Sequence, residues 1–189
     1  MSFLSELKKQ KERLKETETI VTRADGVRFV EGSGKLVDKS VGFVIDTKPD
    51  DIPILIINYL YIGSQDCAAA NILEKYDIKR VLSLGIDVDI SNVDHKYVPL
   101  LDLPETDIKP ALIECLPFLR SGVENKQNVL VHCNAGVSRT SMVAIAYLMQ
   151  YEGMCFEEAY DLVKTKRPAI QPNAGFKKQL QCMKPRAII

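Results

Sequence analysis

Short runs of apolar residues alternate with amphipathic segments over most of this 189-residue sequence. Runs rich in β-branched and aliphatic residues predict strands at 54–63, 79–85, 95–103 and 128–133. Segments of helical composition lie at 64–76, 106–122, 134–153, 156–167 and 173–183, and the third of them begins as a loop. Because strands alternate with helices, the pattern indicates βαβ units. The sequence therefore predicts an α/β fold with a mostly parallel central β-sheet flanked by α-helices.

Residues that cap or end helices support these bounds. Short polar side chains, which accept hydrogen bonds from a first helical turn, stand at Ser64 or Asp66, at Thr106 with Asp107, and at Asn173. Residues that end helices stand at Gly122, Gly153 and Pro168.

The first 50 residues follow a different pattern. Residues 1–18 are dense in charge and carry leucines at roughly helical spacing, which fits either a solvated tail or a helix that docks on a partner. Turn residues at 32–34 separate two short apolar runs and indicate a loose hairpin. Two prolines and two adjacent aspartates mark a linker at 47–53. We therefore predict a partly flexible N-terminal extension over 1–50 and one folded domain over 51–189.

The composition narrows the class of protein. Twenty-five Lys and Arg balance 25 Asp and Glu, so a broadly basic surface for nucleic acid is not expected. The longest apolar stretch, 52–63, is shorter than the ~20 residues that span a bilayer, and the charged N-terminus lacks the apolar region of a secretory signal. Five cysteines without zinc-type spacing are expected to be thiols in a reducing compartment. We expect a cytoplasmic protein, with the nucleus as a second location, and no membrane partner.

The candidate chemistry is concentrated in VLVHCNAGVSRTS, residues 129–141. A buried strand ends at Cys133, and Arg139 follows after five intervening residues, in the first turn of the next helix. The small residues between them let the backbone turn its N–H groups toward one point, where the helix dipole adds to an anion nest. Such a nest stabilises a thiolate, and the Arg139 guanidinium can hold two phosphate oxygens. The pattern predicts attack by sulfur on a phosphoryl group; an inert buried thiol is the alternative.

The same residues resemble a known family. LVHCNAGVSRTS (130–141) is similar to the phosphate-binding signature of the cysteine-dependent protein phosphatases, in the form of the dual-specificity branch. The segments YIGSQD (61–66), LDLPET (101–106) and RPAIQPNAGF (167–176) extend the resemblance over about 52–185. A rhodanese-like kinase-binding module does not fit in 50 residues, so the chain resembles a small atypical member. The resemblance implies the cysteine-dependent phosphatase fold and a catalytic domain over 51–189.

The resemblance implies a role for each residue of this loop. Cys133 is the predicted nucleophile, whose thiolate attacks phosphorus and forms a cysteinyl-phosphate. Arg139 and the N–H groups of the loop hold the phosphate oxygens, whose charge is redistributed in the transition state. The predicted phosphate-binding residues are Asn134, Ala135, Gly136, Val137, Ser138 and Arg139.

A general acid has to come from elsewhere in the chain. Asp102 lies 31 residues before Cys133, which is similar to the spacing of the family's general acid. It is predicted to protonate the leaving oxygen and then to activate water. Asp107 is the alternative acid, although its position before a predicted helix is more typical of an N-cap.

Three more residues complete the predicted site. Thr140 carries a hydroxyl, where family members often have serine, that is predicted to donate to the departing thiolate. His132 is predicted to orient the loop through backbone hydrogen bonds. Asn173 resembles the family position that braces the loop from behind. His95 is expected to pack in or on a strand, without a role in the reaction.

The resemblance also implies the substrates. These are phosphoproteins carrying phosphotyrosine, phosphoserine or phosphothreonine, with stress-activated MAP kinases or their upstream kinases as the leading candidates. The chemistry requires no metal and no cofactor. Positions 134, 135 and 137 carry no lysine, which disfavours phosphoinositides. Two alternatives stay open: a pseudophosphatase scaffold that binds phosphoproteins, and an RNA 5′-phosphatase, which the zero net charge and the lack of a basic, aromatic-rich tract disfavour.

An accessible thiolate is prone to oxidation to a sulfenic acid. A second cysteine that approaches Cys133 would resolve it as a disulfide. The candidates are Cys67, Cys115, Cys155 and Cys182, and the sequence does not choose among them.

Overall fold

The computed structural model describes residues 50–189 and three strands within the first 49 residues. The chain divides into two compact units, Met1–Thr47 and Lys48–Ile189. In the first unit, β1 (Ile20–Thr22), β2 (Arg28–Val30) and β3 (Leu36–Asp38) form an antiparallel sheet in that order. The β2–β3 pair is the hairpin predicted around residues 32–34. Residues 1–18, predicted as either a solvated tail or a docking helix, and the first part of the 47–53 linker lie outside the described residues.

The second unit is an α/β domain built on a five-stranded sheet. Its strands are β4 (Ile54–Ile57), β5 (Leu60–Gly63), β6 (Ile78–Leu84), β7 (Asp94–Val98) and β8 (Asn128–His132). Its helices are α1 (Ala70–Lys75), α2 (Lys109–Glu124), α3 (Arg139–Tyr147), α4 (Phe156–Lys166) and α5 (Ala174–Cys182). A 3-10 turn, Gln65–Ala68, precedes α1, and a π turn, Leu148–Glu152, continues α3. The predicted α/β class with a mostly parallel sheet is confirmed.

The strand order places the candidate catalytic residues at the carboxyl end of the sheet. The order is β4-β5-β8-β6-β7, and every pair except the antiparallel β4–β5 is parallel. The central strand β8 pairs with β5 through His132 and Gly63, and with β6 through His132 and Ser83. The carboxyl ends of the parallel strands therefore meet at one edge, where open α/β sheets bind ligands.

The hydrophobic core fixes the segments on both sides of this edge. The side chains of β8 from Val129 to His132 are buried, and so is every residue of α3 from Thr140 to Tyr147. A helix that is apolar on all sides lies in a protein core, where packing holds it rigidly. Arg139 is the first residue of this helix, so its backbone is held in place by the packing of α3. Within residues 50–189 no helix is long and apolar enough to cross a membrane.

Two predicted elements are shorter than their sequence patterns suggest. The strand predicted over 95–103 ends at Val98, because Pro99 has no N–H and the Leu100 carbonyl accepts from Arg139 Nη1 at 3.4 Å. The helix predicted over 64–76 is broken at Ala69, whose backbone is extended. Ser64, one of the two predicted caps, accepts a hydrogen bond from the Asp66 N–H at 3.1 Å.

The helix predicted over 106–122 begins and ends later than expected. The structure starts α2 at Lys109, whose N–H donates to the Asp107 carboxylate at 3.0 Å, and ends it at Glu124. The end predicted near Gly122 lies two residues further along the chain. A Cβ at Gly122 would lie 2.4 Å from the Val129 side chain, so this glycine lets α2 approach β8 closely.

Candidate active site

The loop between β8 and α3, residues 133–138, points its carbonyl groups outward. Four carbonyls in a row accept hydrogen bonds at 2.6–3.2 Å: Asn134 from the Gln65 N–H, Ala135 and Gly136 from the Arg167 guanidinium, and Val137 from the Gln171 N–H and the Ser141 hydroxyl. Among the described residues, the N–H groups of 134–138 donate to no protein acceptor. The C=O of one residue and the N–H of the next point to opposite sides of their trans peptide, so the N–H groups of 135–138 face the centre of the loop. This is the geometry of an anion nest.

Gly136 makes the tight turn of this loop possible. Its φ of +64° lies in the left-handed region, which L side chains rarely adopt. A Cβ at this position would also lie 2.5 Å from the Gly63 carbonyl group at the end of β5. The loop therefore packs directly against the neighbouring strand, and only glycine fits there.

The predicted nucleophile lies at the base of the nest. Cys133 is 2% exposed, directly after the last residue of β8. The hydroxyl of Thr140, the second residue of α3, is buried and has no hydrogen-bond partner among the described residues. A buried hydroxyl without a partner is uncommon, because its desolvation is not offset. Thr140 thus has a free hydrogen to donate, as its predicted role requires.

Arg139 is held by two strand ends and keeps one edge of its guanidinium free. Its Nη1 donates to the Leu84 carbonyl at 3.1 Å and to the Leu100 carbonyl at 3.4 Å. Its Nε is buried and has no hydrogen-bond partner in the described part of the chain. A Cβ at Gly85 would lie 2.3 Å from Nη1, so a glycine is required beside it. The edge formed by Nε and Nη2 is left for a bidentate bond to an anion.

The structure places the Asp102 carboxylate beside the guanidinium of Arg139. Its Oδ1 accepts from the Ser138 hydroxyl at 2.6 Å and from Asn173 Nδ2 at 2.8 Å. Its Oδ2 lies 3.8 Å from Arg139 Nε. Because Oδ1 already accepts two hydrogen bonds, the proton of a protonated Asp102 belongs on Oδ2, the oxygen nearer to the guanidinium. Asp107 instead accepts from the start of α2.

The loop that carries Asp102 is anchored along α5. Gln179 accepts from the Ile108 N–H at 3.1 Å and donates to the Thr106 carbonyl at 2.8 Å. A Cβ at Gly175 would lie 1.8 Å from the Pro104 carbonyl oxygen, so helix and loop are in close contact. The acid loop is therefore held on the C-terminal side of Asp102.

Asn173 connects this acid loop with the phosphate loop. Its side-chain oxygen Oδ1 caps α5 by accepting from the Phe176 N–H at 2.9 Å, which confirms the predicted cap. Its own N–H donates to the Ser138 hydroxyl at 3.1 Å, while its side-chain amide holds Asp102. The predicted bracing role is thus extended to the acid, a contact that the sequence did not indicate.

His132 makes a contact that the sequence analysis did not predict. Its Nε2 lies 2.6 Å from the Ser83 hydroxyl, which also lies 2.8 Å from His95 Nε2. Its Nδ1 is buried without a hydrogen-bond partner among the described residues. Burial lowers the pKa of His132 to about 4, and the neighbouring Cys133 backbone opposes this shift. The ring is therefore neutral near pH 7, and its Nε2 bonds the side chain of Ser83.

Arg167 is a site residue that the sequence analysis missed. It is 6% exposed, and its Nε and Nη2 donate to the carbonyls of Gly136 and Ala135 at 2.9 and 3.2 Å. Its charge is paired with the Asp50 carboxylate. The backbone carbonyl of Asp50 in turn accepts from the Ser64 hydroxyl at 2.8 Å. The RPAIQPNAGF segment, which carries part of the family resemblance, is the signal that points to Arg167.

We expect Arg167→Met to weaken both the fold and the anion nest. Two buried carbonyls and one carboxylate would lose their partner, and an unsatisfied buried group costs about 1–3 kcal/mol. The free energy of unfolding should fall by that amount, and the inhibition constant of inorganic phosphate should rise. Denaturant melts and phosphate inhibition measure the two effects. Arg167→Lys is the control, since it keeps the positive charge without the forked guanidinium. An unchanged free energy of unfolding and an unchanged inhibition constant in Arg167→Met would contradict the assigned contacts.

The five cysteines are free thiols in the structure. Burial raises the pKa of Cys67 to about 11 and that of Cys115 to about 12, so both thiols are protonated near pH 7. Cys155 and Cys182 are exposed. The hypothesis of a resolving cysteine stays a prediction. Within the described residues, no group of three or more His, Cys, Asp or Glu side chains is placed to hold a metal ion.

Comparison with known proteins gives one consistent result. The family model "Dual specificity phosphatase, catalytic domain" matches residues 60–185. A probable dual specificity protein phosphatase of Dictyostelium discoideum is 34% identical, over 96% of this chain and 96% of its own length. Dual specificity protein phosphatase 19 of Mus musculus is 38% identical, over 74% of this chain and 66% of its own length.

A further relative and a solved structure agree with this. The MAP kinase phosphatase with leucine-rich repeats protein 3 of Dictyostelium discoideum is 41% identical, over 68% of this chain and 16% of its own length. The crystal structure of DUSP15 superposes with a TM-score of 0.65 and 29% identity, over 68% of this chain and 85% of that chain. The likeness therefore holds in sequence and in fold.

Proposed function

This chain belongs to the dual specificity phosphatase family and is a protein tyrosine and serine/threonine phosphatase; we propose that it acts through a cysteinyl-phosphate on Cys133. One observation carries the mechanism. The carbonyls of 134–137 are all bonded outward, while the N–H groups of 135–138 donate to no acceptor in the described part of the protein. A phosphoryl group above Cys133 supplies the missing acceptors.

In the first step the Cys133 thiolate attacks phosphorus. The S–P bond forms as the bond from phosphorus to the substrate oxygen breaks. The inward N–H groups and the free edge of Arg139 hold the three equatorial oxygens. The leaving oxygen takes the proton of Asp102 Oδ2, which the hydrogen bonds from Ser138 and Asn173 to Oδ1 leave available.

In the second step water hydrolyses the intermediate. Asp102, now a carboxylate, takes a proton from the water as its oxygen attacks phosphorus. The S–P bond breaks, inorganic phosphate leaves, and the electron pair returns to sulfur. The Thr140 hydroxyl has no other partner among the described residues, and it donates to the thiolate as it forms.

We further propose that the substrates include components of a MAP-kinase pathway. A relative that shares 41% identity with this chain is named a MAP kinase phosphatase. The proposal extends that name to this chain. A cytoplasmic location, with the nucleus as a second one, is part of the same proposal.

Matched peptides test the substrate class. One sequence is prepared with phosphotyrosine, with phosphothreonine or with phosphoserine at the same position, and phosphate release is measured. We expect release from all three and, in parallel, from a phosphorylated stress-activated MAP kinase. Release from peptides but not from the kinase would overturn the pathway proposal and keep the mechanism. Binding without release from any peptide would overturn the mechanism.

A further inference from the structure

Three polar side chains form a chain through the sheet directly below the phosphate loop. His132 lies on β8, Ser83 on the neighbouring β6, and His95 on the edge strand β7. The Ser83 hydroxyl joins the two rings, at 2.6 Å from His132 Nε2 and 2.8 Å from His95 Nε2. Ser83 and His132 are fully buried, while His95 is half-buried. This row of hydrogen bonds therefore leads from the half-buried His95 to His132, the residue before Cys133.

Among the described residues the Ser83 hydroxyl contacts no acceptor other than the two rings, so its hydrogen goes to one ring and the other ring donates to its oxygen, which leaves two patterns. A hydroxyl donates one hydrogen bond and accepts others. In the first pattern His95 Nε2–H donates to Ser83, and Ser83 donates to His132 Nε2. In the second, both directions are reversed. A neutral imidazole carries one N–H, so the first pattern places it on His132 Nδ1 and the second on Nε2.

The surroundings of His132 favour the first pattern. Its Nδ1 is buried, has no hydrogen-bond partner among the described residues and lies beside the Cys133 backbone, which stabilises a proton on the ring. The second pattern would leave Nδ1 as a bare lone pair in that place, without any donor.

We infer that His95 and Ser83 are positioning residues that hold His132 as the neutral Nδ1–H tautomer and so fix the backbone at Cys133. The hydrogen-bond pattern is a property of the fold alone. That it serves catalysis rests on the proposed function. His95, for which the sequence suggested no role in the reaction, thereby acts on the nucleophile through two other residues.

The tautomer is directly measurable, because the 189-residue chain contains two histidines. Side-chain ¹⁵N NMR of the ¹⁵N-histidine-labelled protein distinguishes a protonated ring nitrogen from an unprotonated one, and His95→Phe assigns the signals by removing one ring. We expect wild-type His132 to carry its hydrogen on Nδ1. His95→Phe and Ser83→Ala should shift His132 toward a mixture of tautomers or toward Nε2–H.

Activity supplies the second measurement. Loss of one positioning hydrogen bond of about 1 kcal/mol corresponds to a fall in kcat of about fivefold, and KM should stay within about twofold. His95→Gln, whose amide can donate in place of Nε2–H, should restore most of kcat. Tyr97→Phe, two residues along the same strand, is the control and should change neither the tautomer nor kcat.

Two outcomes would overturn the inference. One is an Nε2–H tautomer in wild-type His132. The other is an unchanged tautomer and an unchanged kcat in both His95→Phe and Ser83→Ala. An inactive wild type with His132 on Nδ1 would refute the proposed function and uphold the hydrogen-bond pattern, so the two failures are distinguishable.

Discussion

Replacing Cys133 with serine should abolish phosphate release while leaving the fold and the phosphate site in place. A serine hydroxyl is a weak nucleophile unless a base activates it, whereas a cysteine sulfur is intrinsically nucleophilic. The two side chains are nearly isosteric, and Cys133 is 2% exposed at the end of a buried strand. Loss of a catalytic nucleophile typically reduces kcat by about 10⁴- to 10⁶-fold. Phosphate release from a phosphotyrosyl peptide measures the loss, and calorimetry should still detect binding of that peptide.

Cys155→Ser is the matched control for this experiment. Cys155 is exposed and caps the N-terminus of α4, a place where serine is well tolerated. It should keep wild-type activity. In the wild type, acid quenching during turnover followed by peptide mass spectrometry should find one phosphoryl group on Cys133. A phosphoryl group on another residue, or a Cys133→Ser variant as active as wild type, would contradict the mechanism.

The phosphate loop could be predicted because its parts are contiguous. Strand, turning glycine, nucleophile and arginine lie within one short segment, and local geometry alone turns its N–H groups inward. Both Gly136, at a φ of +64°, and Arg139, the first residue of α3, stand where the sequence pattern required them. A site built from neighbours in sequence needs no knowledge of the tertiary fold.

The residues that support this loop come from distant parts of the chain. Asp50 reaches Arg167 across 117 positions, and Ser83 reaches His132 across 49. Such pairs depend on strand order and register, which periodicity does not specify. His95 is an example, because an isolated histidine on an edge strand is ordinary by its sequence. The position of the acid loop is another, since it depends on α5 and not on the strand before it.

Asp102→Asn should reduce turnover of phosphoprotein substrates by about 10²- to 10⁴-fold, the usual contribution of a general acid. The substitution is well suited to the site. An asparagine oxygen at the Oδ1 position accepts from Ser138 and Asn173 as before, so the loop keeps its anchors. What is lost is the transferable proton on the side nearer to Arg139. The result is a chemical defect in a nearly unchanged structure.

The dependence on the leaving group separates this role from a purely structural one. An aryl phosphate with a weakly basic leaving oxygen departs without protonation, so Asp102→Asn should cleave its ester bond at nearly the wild-type rate. The loss should grow with the basicity of the leaving oxygen and be largest for phosphothreonine. Asp107→Asn is the control: this carboxylate accepts from the N–H at the start of α2 and should not alter the dependence. The comparison uses release of the leaving group in a single turnover, because the later attack of water also needs Asp102. An equal loss of this rate on every substrate would mean that Asp102 only holds the loop.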